Sequence, residues 1–192
     1  MQLLLNQTSP YARTARVTAL EAGFGERLTL VWSDPWKEDP ALLAAHPGNK
    51  VPVLITDEGI ALSETLLICI YLHQLGAGNP LAIERLQLAG LGQGLIDAAF
   101  GTVIARKHGG AAQDDSVLGA RRLAALDRLL ARLNETSTLD AEDVDFSHFL
   151  VAVGLDYLGF RLPEVDWSAH PRLVRFHRRL LARPSLAATS FQ

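Results

Sequence analysis

The chain has 192 residues, 48 % of them apolar, and a formal net charge of -3. That is enough chain for one large domain or two small ones with a real core, and the mild acidity argues against a nucleic-acid protein. A single cysteine, Cys69, excludes an internal disulfide scaffold and argues against a thiolate metal cluster, so no metal site is expected.

Leu3, Leu4 and Leu5 form a short apolar run, the first candidate strand. Asn6 to Pro10 breaks it, and because proline is tolerated in a first helical turn, Pro10 can open a helix after Ser9 that runs to Gly23. Leu28 to Trp32 alternates into a second strand. Pro35, Pro40 and Pro47 punctuate a loop-rich region with one short helix near Ala41 to Ala45.

Asn49 to Thr65 is the most informative stretch. Val51, Val53, Leu54 and Ile55 make a buried strand, and Asp57-Glu58-Gly59 makes the turn into a second one. Ser63, Glu64 and Thr65 cap a helix that begins at Leu66 and reaches about Leu75. In that helix Cys69 reads as a buried small hydrophobe. Gly76 to Pro80 reads as a linker.

Strand signals end there. Residues 81–107 predict a long helix that contains Gly90, Gly92 and Gly94. So many small residues point either to another backbone packed against them, such as a partner subunit, or to a weak, kinked helix. Residues 116–134 place Leu123, Leu126, Leu130 and Leu133 on one face. Asp145 can cap a helix whose body, Phe149 to Leu158, is apolar nearly all round and belongs in the core. His170-Pro171 opens a last helix, closed by Arg183-Pro184, whose Arg172, Arg175, Arg178 and Arg179 read as a solvated face. No basic, apolar leader opens the chain, and no apolar run approaches the ~20 residues of a membrane span, so a soluble, cytoplasmic protein is expected.

Two places carry chemistry. Proline cannot donate to a strand ladder, so Lys50-Val51-Pro52 belongs where the backbone turns into the strand. If the Val51–Pro52 bond is cis, the Val51 amide and carbonyl face outward and can pair with a short peptide as an added strand. The helix start at Glu64-Thr65 offers free amides and a dipole suited to a carboxylate, and Lys50 offers a charge for a second. The plainer reading is a proline at a strand start beside an ordinary capped helix. Ser9, between the first strand and a helix N-terminus, can donate to an anion and bias a thiol ligand toward its thiolate, or can simply cap its helix.

Ser9-Pro-Tyr-Ala-Arg13, Lys50-Val-Pro-Val-Leu54 and Leu62-Ser-Glu-Thr65, in this order and spacing, resemble the glutathione transferase family over nearly the whole chain, with small bacterial members the nearest likeness. The resemblance implies a thioredoxin-like α+β domain over 1–76, a linker at 77–80 and an all-α domain over 81–192. It implies conjugation of the glutathione thiolate to a small electrophile, in the manner of a detoxification enzyme, by a homodimer with glutathione as co-substrate. Ser9 would face the sulfur, Val51 before cis-Pro52 would pair with the cysteinyl backbone, Glu64 and Thr65 would hold the γ-glutamyl end, and Lys50 the glycyl carboxylate. Tyr11, Arg106 and Tyr157 would line the second-substrate pocket. Asp97 resembles an acid that in some members reaches the neighbour's glutathione ammonium, though it also reads as a plain helix-face charge. Thr65 stands where Ser is usual, and His148 stands at a position usually held by a helix-capping acid. The approach to Lys50 through Pro47-Gly48-Asn49 is also unusual. These departures leave room for a glutathione-binding regulatory protein of the same fold. Ser at position 9 argues against disulfide chemistry, which needs Cys.

Overall fold

In the computed structural model, which describes residues 1–77 and 79–191, β1 (Gln2–Leu5) and β2 (Thr29–Trp32) run parallel, joined by α1 (Pro10–Glu21). Then come α2 (Pro40–Ala45), the hairpin of β3 (Val53–Ile55) and β4 (Ala61–Ser63), and α3 (Thr65–Ala77). The four strands form one mixed sheet in the order β2-β1-β3-β4, with β1 to β3 and β3 to β4 antiparallel. This is the thioredoxin-like arrangement, a β-α-β half joined to a β-β-α half.

The three leucines of β1 show how the sheet is sealed on both faces. Successive strand side chains point to opposite sides. Leu3 and Leu5 therefore join Ala12, Ala15 and Ala19 of α1 and Ile68 and Leu72 of α3, while Leu4 joins Val53 and Leu42 of α2. All three are at most 2 % exposed. Each contributes about 1.5–3 kcal/mol relative to an exposed leucine.

By contacts the chain divides into two units, Met1–Pro80 with Pro184–Gln192, and Leu81–Arg183. The final segment, expected to continue the helical domain to residue 192, instead shares its contacts with the first unit through the short α8 (Pro184–Ala187). Gly78, in the expected linker at 77–80, lies outside the described residues.

The second unit is all helical: α4 (Ile83–Gly109), α5 (Val117–Glu135), α6 (Phe146–Arg161) and α7 (Pro171–Leu181). Asp145 caps α6 as expected, accepting from the Ser147 amide (2.8 Å). His148 completes a capping box, its Nδ1 accepting from the Asp145 amide (3.3 Å). Phe146 through Leu155 are all buried, which matches a helix apolar on every face. Leu126, Leu130 and Leu133 form the buried stripe of α5.

Two sequence readings change. An 18-residue window of α4 reaches a mean hydropathy of 1.4, long and apolar enough to cross a membrane by length and composition, where the sequence reading found no such run. Small residues raise the window without forming a conspicuous aliphatic block, and 44 % of it is buried inside the protein. The arginines of α7 are not uniformly solvated. Arg172 pairs with Asp140, and Arg179 donates to the carbonyls of Leu139 and Ala141.

Candidate functional site

Strand register brings the three motif segments to one end of the sheet. Leu4 of β1 lies opposite Val53 of β3, and Val53 lies opposite Ser63 of β4. β1 ends there and leads to Ser9. β3 begins there, directly after Val51-Pro52. β4 ends there and leads to Glu64-Thr65. Adjacent strands are ~4.8 Å apart, so these three strand ends span two strand spacings, about 10 Å.

Ser9 is the N-cap of α1, with Pro10 at its first position. Its Oγ accepts the Ala12 amide at 3.2 Å, and the residue is 8 % exposed. The capping role uses an oxygen lone pair and leaves the hydroxyl proton available to an acceptor outside the helix. Asn6 orders the approach, its Oδ1 accepting from the amide (3.0 Å) and the hydroxyl (2.9 Å) of Thr8.

The Val51–Pro52 peptide bond is cis. Pro52 is buried, and the ladder starts one residue later, at Val53, so Val51 stands outside it. The approach is pinned by Asn49, which has a left-handed φ of 50°. Its side-chain amide donates to the Pro35 carbonyl at 2.8 Å. Lys50 is exposed at this turn.

Glu64 also has a left-handed backbone, φ 70°. Such a conformation costs an L-residue with a Cβ about 1–2 kcal/mol. The sequence gives no signal for it, because the usual left-handed residues are Gly, Asn and Asp. Its carbonyl accepts the Ile68 amide at 3.0 Å, while its side chain is exposed. Thr65 opens α3 and is 4 % exposed. The first amides of a helix have no partner within it and carry the positive end of its dipole, so this end of α3 suits an anion.

The chain belongs to the glutathione transferase family. A crystal structure of a glutathione transferase family member from Pseudomonas fluorescens Pf-5, with bound glutathione, is 31 % identical and covers 100 % of this chain and 98 % of its own, with a TM-score of 0.88. The family described as "Glutathione S-transferase, N-terminal domain" matches residues 8–75. The Pf-5 protein has also been solved with S-(propanoic acid)-glutathione (30 % identity, 100 % and 99 % coverage, TM-score 0.84). The Escherichia coli (strain K12) "uncharacterized GST-like protein YibF" is 28 % identical over 98 % of both chains.

The other residues singled out by the family likeness lie as follows. Tyr11 is half-buried at the second position of α1. Asp97, exposed on α4, accepts from Gln93 at 2.9 Å. Arg106 and Tyr157 belong to the second unit. The Arg106 guanidinium is held by Asp114 (2.8 Å) and by Glu164, and these bonds raise its pKa further. Tyr157 is 2 % exposed, and burial pushes its hydroxyl up to about 12. Cys69 is fully buried and its thiol is likewise pushed up to about 12, with Thr18 Oγ1 at 3.3 Å. Among the described residues no group of three or more His, Cys, Asp or Glu is placed to hold a metal ion.

Sequence reasoning assigned no role to a cavity of about 210 Å³ in the first unit, lined by Asn6, Gln7, Arg13, Arg16 and Trp32 together with residues 188–190. A pair of arginines one helical turn apart on α1 was its one visible trace.

Proposed function

We propose that the protein binds glutathione across the sheet end where β1, β3 and β4 meet and transfers its thiolate to small electrophiles. The observation that carries this reading is the register Leu4–Val53–Ser63, which sets side by side, over about two strand spacings, the strand ends that lead to Ser9, Val51-Pro52 and Glu64-Thr65. An extended tripeptide spans about 10 Å, which matches.

Each segment then offers what one part of the ligand needs. Val51, free of the ladder, pairs through its main chain with the cysteinyl backbone as an added strand. Thr65, with the amides of the first turn of α3, receives the γ-glutamyl carboxylate, and the Glu64 carboxylate answers its ammonium. Lys50 receives the glycyl carboxylate. The Ser9 hydroxyl donates to the sulfur. A free thiol has a pKa of ~8.5 and is only a few per cent ionised at neutral pH, so a hydrogen bond to the thiolate beside a helix N-terminus raises the reactive fraction. The chain's similarity to a protein solved with an S-substituted glutathione supports space for a group beyond the sulfur. Assembly as a homodimer, with Asp97 near the neighbour's ligand, belongs to the same reading.

Calorimetric titration with glutathione, alongside turnover of a generic aryl halide by wild type and Ser9→Ala, tests it. Glutathione binding with turnover that collapses in Ser9→Ala is the expected result. No binding at millimolar glutathione overturns the whole reading, and a fully active Ser9→Ala removes only the role of Ser9. Tight binding without turnover would make the protein a glutathione-binding regulator.

A further inference from the structure

The cavity beside α1 has walls that specify an occupant. Its two arginines differ. Arg13 is 4 % exposed and already committed: its Nη2 donates to the Leu186 carbonyl (3.2 Å), its Nε to Thr189 Oγ1 (3.4 Å), and its guanidinium lies 4.4 Å from the centre of the Phe191 ring. Arg16 is half-buried and, among the described residues, has no hydrogen-bond or ion-pair partner. Its guanidinium carbon lies 5.9 Å from the centre of the Trp32 ring, and burial lowers its pKa from the ordinary value. Among the described residues no carboxylate lines the cavity. A partly desolvated cation without a counter-charge is costly unless an anion arrives from outside.

We propose that this cavity is a binding site for a small aromatic carboxylate, held by the Arg16 guanidinium and stacked beside the Trp32 indole. A planar guanidinium matches a carboxylate with two parallel hydrogen bonds. Trp32, 51 % exposed, offers an aromatic surface next to that fork. Size selects the class. A cavity of ~150 Å³ accommodates benzene, so about 210 Å³ suits a ligand the size of benzoate. The site stands apart from the proposed glutathione cradle, since Ser9, Val51, Pro52, Glu64 and Thr65 are not among its walls, and it does not depend on that reading.

Isothermal titration of the full chain with benzoate, and with neutral benzamide as the isosteric control, tests the assignment. Benzoate is expected to bind with one-to-one stoichiometry and to quench Trp32 fluorescence. Benzamide is expected to bind at least tenfold more weakly. Arg16→Gln, at a half-exposed position that leaves the fold intact, is expected to weaken benzoate at least tenfold. No saturable benzoate binding below about 10 mM, equal affinity for benzamide, or unchanged affinity in Arg16→Gln would each overturn it.

Discussion

At the scale of single residues, one hydroxyl oxygen holds the start of a helix. Ser9 Oγ accepts the Ala12 amide at the start of α1. Losing such a cap costs about 1 kcal/mol, equivalent to roughly 2–4 °C in a chain of this size. Ser9→Ala should therefore melt a few degrees lower by calorimetry, and Ser9→Thr should not. An unchanged melting temperature in Ser9→Ala would mean that the cap contributes nothing. Asp145 gives a pH signature of its own. Burial pushes its carboxyl up, but the adjacent His148 imidazole and hydrogen bonds from the Ser147 amide and hydroxyl outweigh this and hold it at about 2. An ordinary Asp titrates near ~3.9, so this group's stabilising contribution is complete above pH ~4 and is lost as the pH falls through about 2. At about 1.4 kcal/mol per unit it amounts to on the order of 2 kcal/mol. Urea denaturation should show Asp145→Asn less stable than wild type by that order at pH 5, with the gap closing towards pH 2. A gap that is constant with pH would rule the mechanism out. The cap at Asp145 was legible from sequence because Asp before an apolar helix is a strong signal. The answering His148 was not, since the usual third-position partner is Glu or Gln.

At the scale of elements, three glycines on α4 that look alike in sequence are three different objects in space. A Cβ on Gly92 would sit 2.8 Å from Leu150 Cβ and 2.9 Å from the Val151 nitrogen, so there the backbone of α6 makes the close approach, within the same chain. A Cβ on Gly94 would meet only Leu129 of α5, at 3.6 Å, and one on Gly90 would meet nothing within 4 Å. Gly92→Ala should therefore destabilise by about 1–3 kcal/mol through overpacking. Gly90→Ala, on an exposed turn, should stabilise by up to about 1 kcal/mol. Equal effects from the two substitutions in equilibrium denaturation would contradict the geometry. The sequence could announce the small-residue run but not its partner, because the 3.6-residue period reports which face a residue is on and not what faces it. The same limit shows at the candidate site. Pro10, Pro52 and the Asp57–Gly59 turn mark strand and helix ends by local backbone rules, and these ends were read correctly. The left-handed backbone of Glu64 follows from the bend between β4 and α3, which no residue type there advertises.

At the scale of the whole chain, residues 184–192 leave the helical unit and finish in the first one. Local pattern cannot foretell this, since it depends on pairs far apart in sequence such as Arg13 with Leu186 and Glu21 with Ser185. The energetics are considerable. Leu186 is fully buried, a contribution of about 2 kcal/mol. Hydrogen bonds to a charged group contribute about 1.5–3 kcal/mol each, less what water would restore once the tail is gone. Removing residues 184–192 would expose Arg13 and the adjoining face of α1, so the loss should fall on α1 first. Because local openings draw on local contacts, hydrogen exchange of the truncated chain should show α1 amides exchanging at least tenfold faster than in the full chain, while α6, sealed within the second unit, keeps its protection. Arg13→Leu in the full chain separates charge from packing, since it leaves Leu186 buried and removes only the guanidinium bonds. It should therefore accelerate α1 exchange less than truncation does. If α1 amides exchange at the same rate with and without the tail, the C-terminal segment is not what holds that helix down.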